Sequence, residues 1–252
     1  MKAGPVVIKP PASPPVRLSA AEFSDAVLTL QPKTAVFDCD GTLWSGDAGF
    51  GFMIWSIETG LLSRETADWL DSRHRAYRKG DVSEYTICAE MTQVYKGLRE
   101  QEVRQSAREY FHLHIEPNIF PEMMALVEDL NAEGTEIWAV SSTNNWVIEE
   151  GVARFNIPAS RVLGARVAVD ASGTISGEII DVPTGDGKAS ALRRAGLPKP
   201  DAVFGNSIHD AAMMEIGARA FPVNPTQALA DLSFGRDWPV FYPAAVLSDR
   251  TK

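Results

Sequence analysis

The chain has 252 residues, 45% of them hydrophobic and 23% charged, which is the composition of a folded protein rather than of a disordered or fibrous one. At roughly 150 residues per domain, that length holds one large domain or one domain carrying an insertion. The net charge of −9 excludes a nucleic-acid binder, which needs a basic face, and speaks against docking on an anionic membrane.

Residues 1–18 read as a proline-rich tail. Pro5, Pro10, Pro11, Pro14 and Pro15 interrupt any apolar run, so the stretch lacks the core of a secretory signal. The run 34–37, after Pro32-Lys33, predicts a strand that ends at Asp38. From Phe50 to about His114 the apolar spacing is helical, and Gly60, Gly80-Asp81 and Gly97 divide the region into three or four helices. Its best apolar stretch, 48–57, falls far short of the roughly 18 residues of a membrane span. Pro121 opens a helix expected to reach Ala132 and stop at Gly134. The run 136–140 predicts a second strand, ending in Ser141. Two short strands, 166–169 and 174–178, are joined by a hairpin-like loop over 170–173. A helix follows Lys188, and the runs 201–204 and 218–221 predict two further strands. The segment after Asn224, with Trp238-Pro239, is expected to complete the sheet edge and pack over the core. Cys39 and Cys88 form neither a metal-ligand pair nor a disulfide framework, so a reducing, cytoplasmic setting is expected.

Strands alternating with helices at this spacing predict an α/β fold: a three-layer, Rossmann-like parallel sheet core with helices on both faces. Residues 19–46 and 118–252 would form that core, and 47–117 an inserted helical cap. In such sheets ligands bind beyond the carboxyl ends of the strands. Those ends deliver Asp38, Asp40, Gly41 and Thr42 from the first strand, and Ser141, Ser142 and Thr143 from the second. A helix start adds Lys188, and the later strand adds Asn206, Ser207, His209 and Asp210. Each has an ordinary reading as well: Ser141 as a helix cap, Lys188 as a surface lysine, His209 as a cap or hydrogen-bonding group. The run Gly185-Asp186-Gly187-Lys188 is no P-loop, because Val182 stands at the first glycine position and Ala189 replaces Ser/Thr.

Val36-Phe37-Asp38-Cys39-Asp40-Gly41-Thr42-Leu43, followed in order by Ala139-Val140-Ser141-Ser142, Gly187-Lys188 and Gly205-Asn206-Ser207 to Asp210, resembles the four motifs of the haloacid dehalogenase superfamily. The similarity is to its phosphoserine-phosphatase-like (subfamily IB) hydrolases, and it covers about residues 33–224. It implies a Mg²⁺-dependent phosphatase that hydrolyses a small phosphorylated metabolite through an aspartyl-phosphate. By that resemblance Asp38 is the nucleophile and Asp40 the general acid and base. Ser141 bonds a phosphoryl oxygen, and Lys188 balances the charge. The metal would be held by Asp38, the backbone carbonyl of Asp40, Asn206 and Asp210, the last as an outer ligand or supporting partner.

Two departures matter. Asn206 stands where the family has a metal-binding Asp, and an amide oxygen brings no charge. In the cap, Asp47 occupies the position that holds a substrate amine in phosphoserine phosphatases. Where an arginine would hold the substrate carboxylate, the chain has Glu90, Met91 and Thr92, and Arg99 is not clearly equivalent. The missing arginine speaks against phosphoserine, and Asp47 leaves a phosphorylated amine as one hypothesis for the substrate. Trp44, Phe50, Phe52 and Trp55 could surround a substituted ammonium near Asp47, although helical aromatics are more often core. Ser142, Asn144 and Asn145 lie within reach of substrate. The rival readings are a phosphotransferase or mutase of the same family, and a degraded member that binds without turnover.

Overall fold

The structure is a computed structural model that describes residues 15–249. Of the expected tail, residues 1–14 lie outside the described residues, and its end is a short strand, β1 (Arg17–Leu18). Ser19 then caps α1 (Ala20–Leu28) through a reciprocal bond with Glu22, the sequence signature of a helix start. Strand β2 (Thr34–Phe37) follows, and then four helices: α2 (Ala48–Glu58), α3 (Arg64–Arg78), α4 (Glu84–Gln93) and α5 (Glu100–Tyr110). Side chains of Asp47, Ser63 and Ser83 cap the first three of these.

Helix α6 (Pro121–Ala132) leads into β3 (Glu136–Asn144), α7 (Asn145–Val152) and the pair β4 (Val162–Val169) and β5 (Ile175–Asp181). The chain continues through α8 (Asp186–Arg194), β6 (Ala202–Gly205), α9 (Ala211–Ile216) and β7 (Arg219–Pro222). It closes with α10 (Gln227–Gly235), β8 (Val240–Phe241) and α11 (Ala244–Asp249).

Six strands form one sheet in the order β5-β4-β3-β2-β6-β7, parallel except for the antiparallel edge pair β4–β5. The expected parallel-dominated α/β sheet is thus present. Period-two alternation divides its side chains between two layers. Ala35, Phe37, Ile137, Ala139, Ala202 and Phe204 pack with apolar residues of α1, α6 and α7. Val36, Val140, Val203 and Ala220 pack with those of α8, α9 and α10. Four helices carry residues 48–110, at the upper end of the expected three or four. Their buried residues Phe52, Val103 and Tyr110 belong to the same apolar cluster as the first layer.

The segment after Asn224 differs from the expectation of a completed sheet edge. Strand β8 pairs with β1 in a separate two-stranded sheet and touches the main sheet through one bridge, Val223 to Phe241. That pairing joins positions more than two hundred residues apart in sequence, which no local pattern encodes.

Phe37, Phe204 and Phe221 occupy matching register on three adjacent strands, and their rings stack at 4.2 and 5.3 Å between centroids. Cross-strand aromatic pairs of this kind set register. Here they fix the level at which β2 and β6 end, and so the level of Asp38 and Asn206.

Candidate active site

The residues just past β2 and β6, at the end of β3 and at the start of α8 surround one cavity of about 300 Å³. Asp38, Asp40, Asp47, Ser141, Ser142, Asn144, Lys188 and Asn206 all line it. From the helical segment it is lined by His74, Tyr77, Glu84, Cys88 and Met91. The expected site residues are therefore brought together, with the exceptions of Asn145 and of Asp210, which is buried and bonds Lys188.

The backbone leaves β2 with the Asp38 N–H still donating to the Phe204 carbonyl at 3.0 Å, so the sheet holds the first carboxylate in place. Lys188 Nζ donates to Asp38 Oδ1 at 2.7 Å and to Asp210 Oδ1 at 2.6 Å, with the Val140 carbonyl at 3.3 Å. Thr42 Oγ1 donates to the other oxygen of Asp38 at 2.8 Å. Asp210 accepts the N–H groups of Asn206 and Ser207 at 2.9 Å each on its second oxygen, so both its oxygens are engaged. Asp210 thereby fixes the loop after β6 and the position of the lysine.

Burial is the main influence on these charges. Burial and then Asp210 push Asp38 up to about 6, against the pull of Lys188. Burial lowers the Lys188 ammonium, but Asp210 and Asp38 together outweigh it and hold it above its usual range. The Cys39 thiol, buried in the core between the two aspartates, is pushed well up by burial.

Asp40 is held at both oxygens. Trp44 Nε1 and the Ala48 N–H donate to Oδ1 at 2.7 and 2.8 Å, and Thr143 Oγ1 donates to Oδ2 at 2.8 Å. Burial, then the nearby Asp47, push its carboxyl up to about 7 in spite of these bonds. A carboxyl poised there is protonated often enough at neutral pH to act as an acid and deprotonated often enough to act as a base. Sequence reasoning placed Thr143 at the strand end but gave it no partner, and it read Trp44 as a core aromatic or a wall for a substituted ammonium, not as a donor to Asp40. Their bonds to Asp40 depend on how the helical segment sits against the sheet.

Strand β3 does not stop at Ser141 but continues to Asn144 with a register shift after Val140. An irregularity of this kind re-aims side chains, and Ser141 Oγ here accepts the Thr143 N–H at 3.1 Å. Asn144 lines the cavity while its side chain accepts the Val147 N–H and caps α7. Asn145 is not at the cavity wall; its amide bonds Glu149.

Gly41 has φ +78, and a Cβ there would lie 1.9 Å from Asn206 Nδ2. Only glycine lets the first loop pass so close to the asparagine.

Of the two readings of the aromatics near Asp47, the surround for an ammonium is not built. Trp44 and Phe52 are core residues, and none of Trp44, Phe50, Phe52 and Trp55 lines the cavity. Asp47 itself caps α2, accepting the Phe50 N–H at 2.8 Å. Glu90 pairs with Arg73, and Arg99 bonds the Ser172 carbonyl, so neither lines the cavity. His209 takes a hydrogen-bonding role: its Nδ1 pairs with Glu84 of α4, joining the helical segment to the loop after β6. Glu84 carried no signal in sequence beyond its place at a helix start.

Comparison with known proteins now decides the family. A model of haloacid dehalogenase-like hydrolases matches residues 35–215, most of the chain. The chain belongs to the haloacid dehalogenase-like hydrolase family. It is 23% identical over 216 residues to a histidinol-phosphatase of Neisseria meningitidis, covering 82% of this chain and 96% of that one. A Bordetella pertussis protein of unknown function superposes with TM-score 0.75 at 20% identity, covering 82% of this chain and 97% of that one. A phospho-aspartyl intermediate analogue of phosphoserine phosphatase superposes with TM-score 0.55 at 12% identity, covering 84% and 93%. The expected family and its phosphoserine-phosphatase-like fold are both borne out. Among the described residues, no helix is long and apolar enough to cross a membrane.

Proposed function

We propose that this haloacid dehalogenase-like hydrolase removes phosphate from a small phosphomonoester through an aspartyl-phosphate on Asp38, with Mg²⁺ as cofactor. The observation that carries the reading is the pair of aspartates two residues apart just past β2, Asp38 buried and Asp40 half-buried. One is bonded by a buried lysine, and the other is held with a raised carboxyl. The phosphatase name of the Neisseria relative supports the same reaction.

In the proposed reaction an oxygen of Asp38 attacks phosphorus and the bond to the leaving oxygen breaks. Asp40 gives its proton to that oxygen, and the alcohol departs. Asp40, now a carboxylate, takes a proton from water as the water attacks the phosphorus of the aspartyl-phosphate. Phosphate leaves and Asp38 is restored. Lys188 offsets the negative charge on Asp38 and on the phosphoryl oxygens, and Ser141 offers a hydroxyl to the phosphoryl group. The rigid hold on Asp40 by Trp44, Ala48 and Thr143 orients its acidic oxygen without reorganisation during the step.

The donor chemistry suits magnesium. Among the described residues, no group of three or more His, Cys, Asp or Glu side chains is gathered for a metal. The oxygens at hand are the Asp38 carboxylate, the Asp40 carbonyl and the Asn206 amide packed against Gly41. A hard cation that keeps several waters and takes a substrate phosphate fits such a sparse set. When bound, it would neutralise the repulsion between a carboxylate nucleophile and a phosphate dianion. By the resemblance of its motif, Asp40 would contribute its backbone carbonyl, and Asp210 would act through Lys188 and the loop. The four helices between β2 and α6 would serve as the cap that covers the reaction.

For the leaving group, Asp47 and Glu84 place negative charge on the wall of the cavity. Lys188 is the one Lys or Arg among the described residues that line it. That sign favours an amine-bearing phosphate ester over a carboxylate-bearing one. The test is release of inorganic phosphate from p-nitrophenyl phosphate with Mg²⁺. Release should be stoichiometric with the alcohol, which separates hydrolysis from transfer, and should stop with chelator or in Asp38→Asn. Release that persists in Asp38→Asn, or none at all, refutes the reading.

A further inference from the structure

The four helices between β2 and α6 are not held to the rest of the protein alike. Buried residues of α2 and α5, among them Phe52, Val103 and Ala107, belong to the main apolar cluster. Ala89 of α4 packs in one cluster with Ala165 and Val182, and Gln93 Nε2 donates to the Gly177 carbonyl at 2.8 Å. After α4, the Gly97 N–H donates to the Ile175 carbonyl at 2.8 Å and the Glu100 N–H to that of Gly173 at 2.9 Å, which straps the chain along the start of β5. Helix α3 differs. Leu70 is its only buried residue, and none of its residues belongs to the apolar clusters.

What holds α3 is mainly polar. Arg73 Nε and Nη2 donate to the two carboxylate oxygens of Glu90 on α4 at 2.8 and 2.7 Å, and the His74 ring meets Phe50 of α2 at 4.8 Å between centroids. Leu62 and Val82, buried on either side, bound the loosely held stretch 63–81. Within it Gly80 has φ +82, and a Cβ there would meet nothing within 4 Å. Yet α3 supplies His74 and Tyr77 to the wall of the cavity that holds Asp38 and Asp40. A segment with few buried apolar contacts opens at lower free energy than its neighbours.

We propose that residues 63–81 form a lid over this cavity, opening as one unit against a fixed α2, α4 and α5, with the Arg73–Glu90 pair as its clasp. The moving part is one helix rather than the whole helical segment, and Leu62 and Val82 are its pivots. Opening takes His74 and Tyr77 out of the wall and uncovers the cavity from that side.

The test needs no substrate. In native-state hydrogen exchange, the amides of 64–78 should exchange together, about tenfold or more faster than those of α2, α4 and α5. Arg73→Met keeps the apolar stem and loses the guanidinium. It should speed exchange in α3 about fivefold, the scale of a partly exposed ion pair, and leave the other three helices unchanged. Arg73→Lys, which keeps the charge without the two-pronged contact, should fall between. Cys88 of α4 lines the same cavity and reports whether the motion uncovers it. Its alkylation by iodoacetamide, read by peptide mass spectrometry, should rise in Arg73→Met in the same proportion as exchange in α3. Equal exchange across the four helices would mean that the segment moves as a block, and that overturns the lid. An α3 rate unmoved by Arg73→Met, or faster exchange without faster alkylation of Cys88, overturns it as well.

Discussion

Lys188 donates from one ammonium to two buried carboxylates, and each contact depends on the others being present. Removing the cation leaves Asp38 and Asp210 facing one another in a site from which water is largely excluded. Breaking such a buried set by deleting one partner typically costs about 3–5 kcal/mol. Lys188→Met should therefore lower the urea midpoint by a matching amount, and an unchanged midpoint would show that the three groups are not coupled. Asn206 brings an amide where a carboxylate would bring charge. Asn206→Asp should tighten Mg²⁺ binding several-fold in a calorimetric titration, and unchanged or weaker binding would remove Asn206 from the metal's surroundings. At this scale much of the site was legible. Asp38, Asp40, Ser141, Lys188 and Asn206 follow strands or open a helix within a few residues, and strand ends are local features. The bonds from Trp44 and Thr143 to Asp40 were not legible, because they form only when distant elements meet.

Among the elements, the sheet was the most readable part, since short β-branched and aromatic runs between Pro, Gly and Asp punctuation define its strands. Helix α6 runs from Pro121 to Ala132 as its proline and glycine signals predict. The pairing of β1 with β8 and the continuation of β3 through an irregularity were not readable, because partner choice across the chain decides both. Helix α7 shows how closely the elements are fitted. A Cβ on Gly151 would lie 2.5 Å from Phe111 Cε2 and 2.8 Å from Trp44. Gly151→Ala should therefore destabilise the protein by about 1–3 kcal/mol through overpacking. Activity should also fall, because Trp44 donates to Asp40. A thermal midpoint equal to wild type would mean that the neighbouring rings yield freely.

For the molecule as a whole, one apolar cluster links the sheet layer of α1, α6 and α7 to the buried residues of α2 and α5. The helices between β2 and α6 are thus continuous in packing with the core. Unfolding should follow a single transition, with tryptophan fluorescence and far-ultraviolet circular dichroism coincident in urea. Two separated midpoints would show that the helical segment melts alone. The net charge of −9 is compatible with a phosphate ester because Lys188, together with the proposed cation near Asp38, would reverse the sign locally.

The nucleophile is the centre of the account, and it can be observed directly. Rapid acid quench during turnover of p-nitrophenyl phosphate with Mg²⁺, followed by peptide mass spectrometry, should find one phosphoryl group on Asp38 and none in Asp38→Asn. Turnover with no phosphorylated Asp38 peptide, or with the label on another residue, would contradict it.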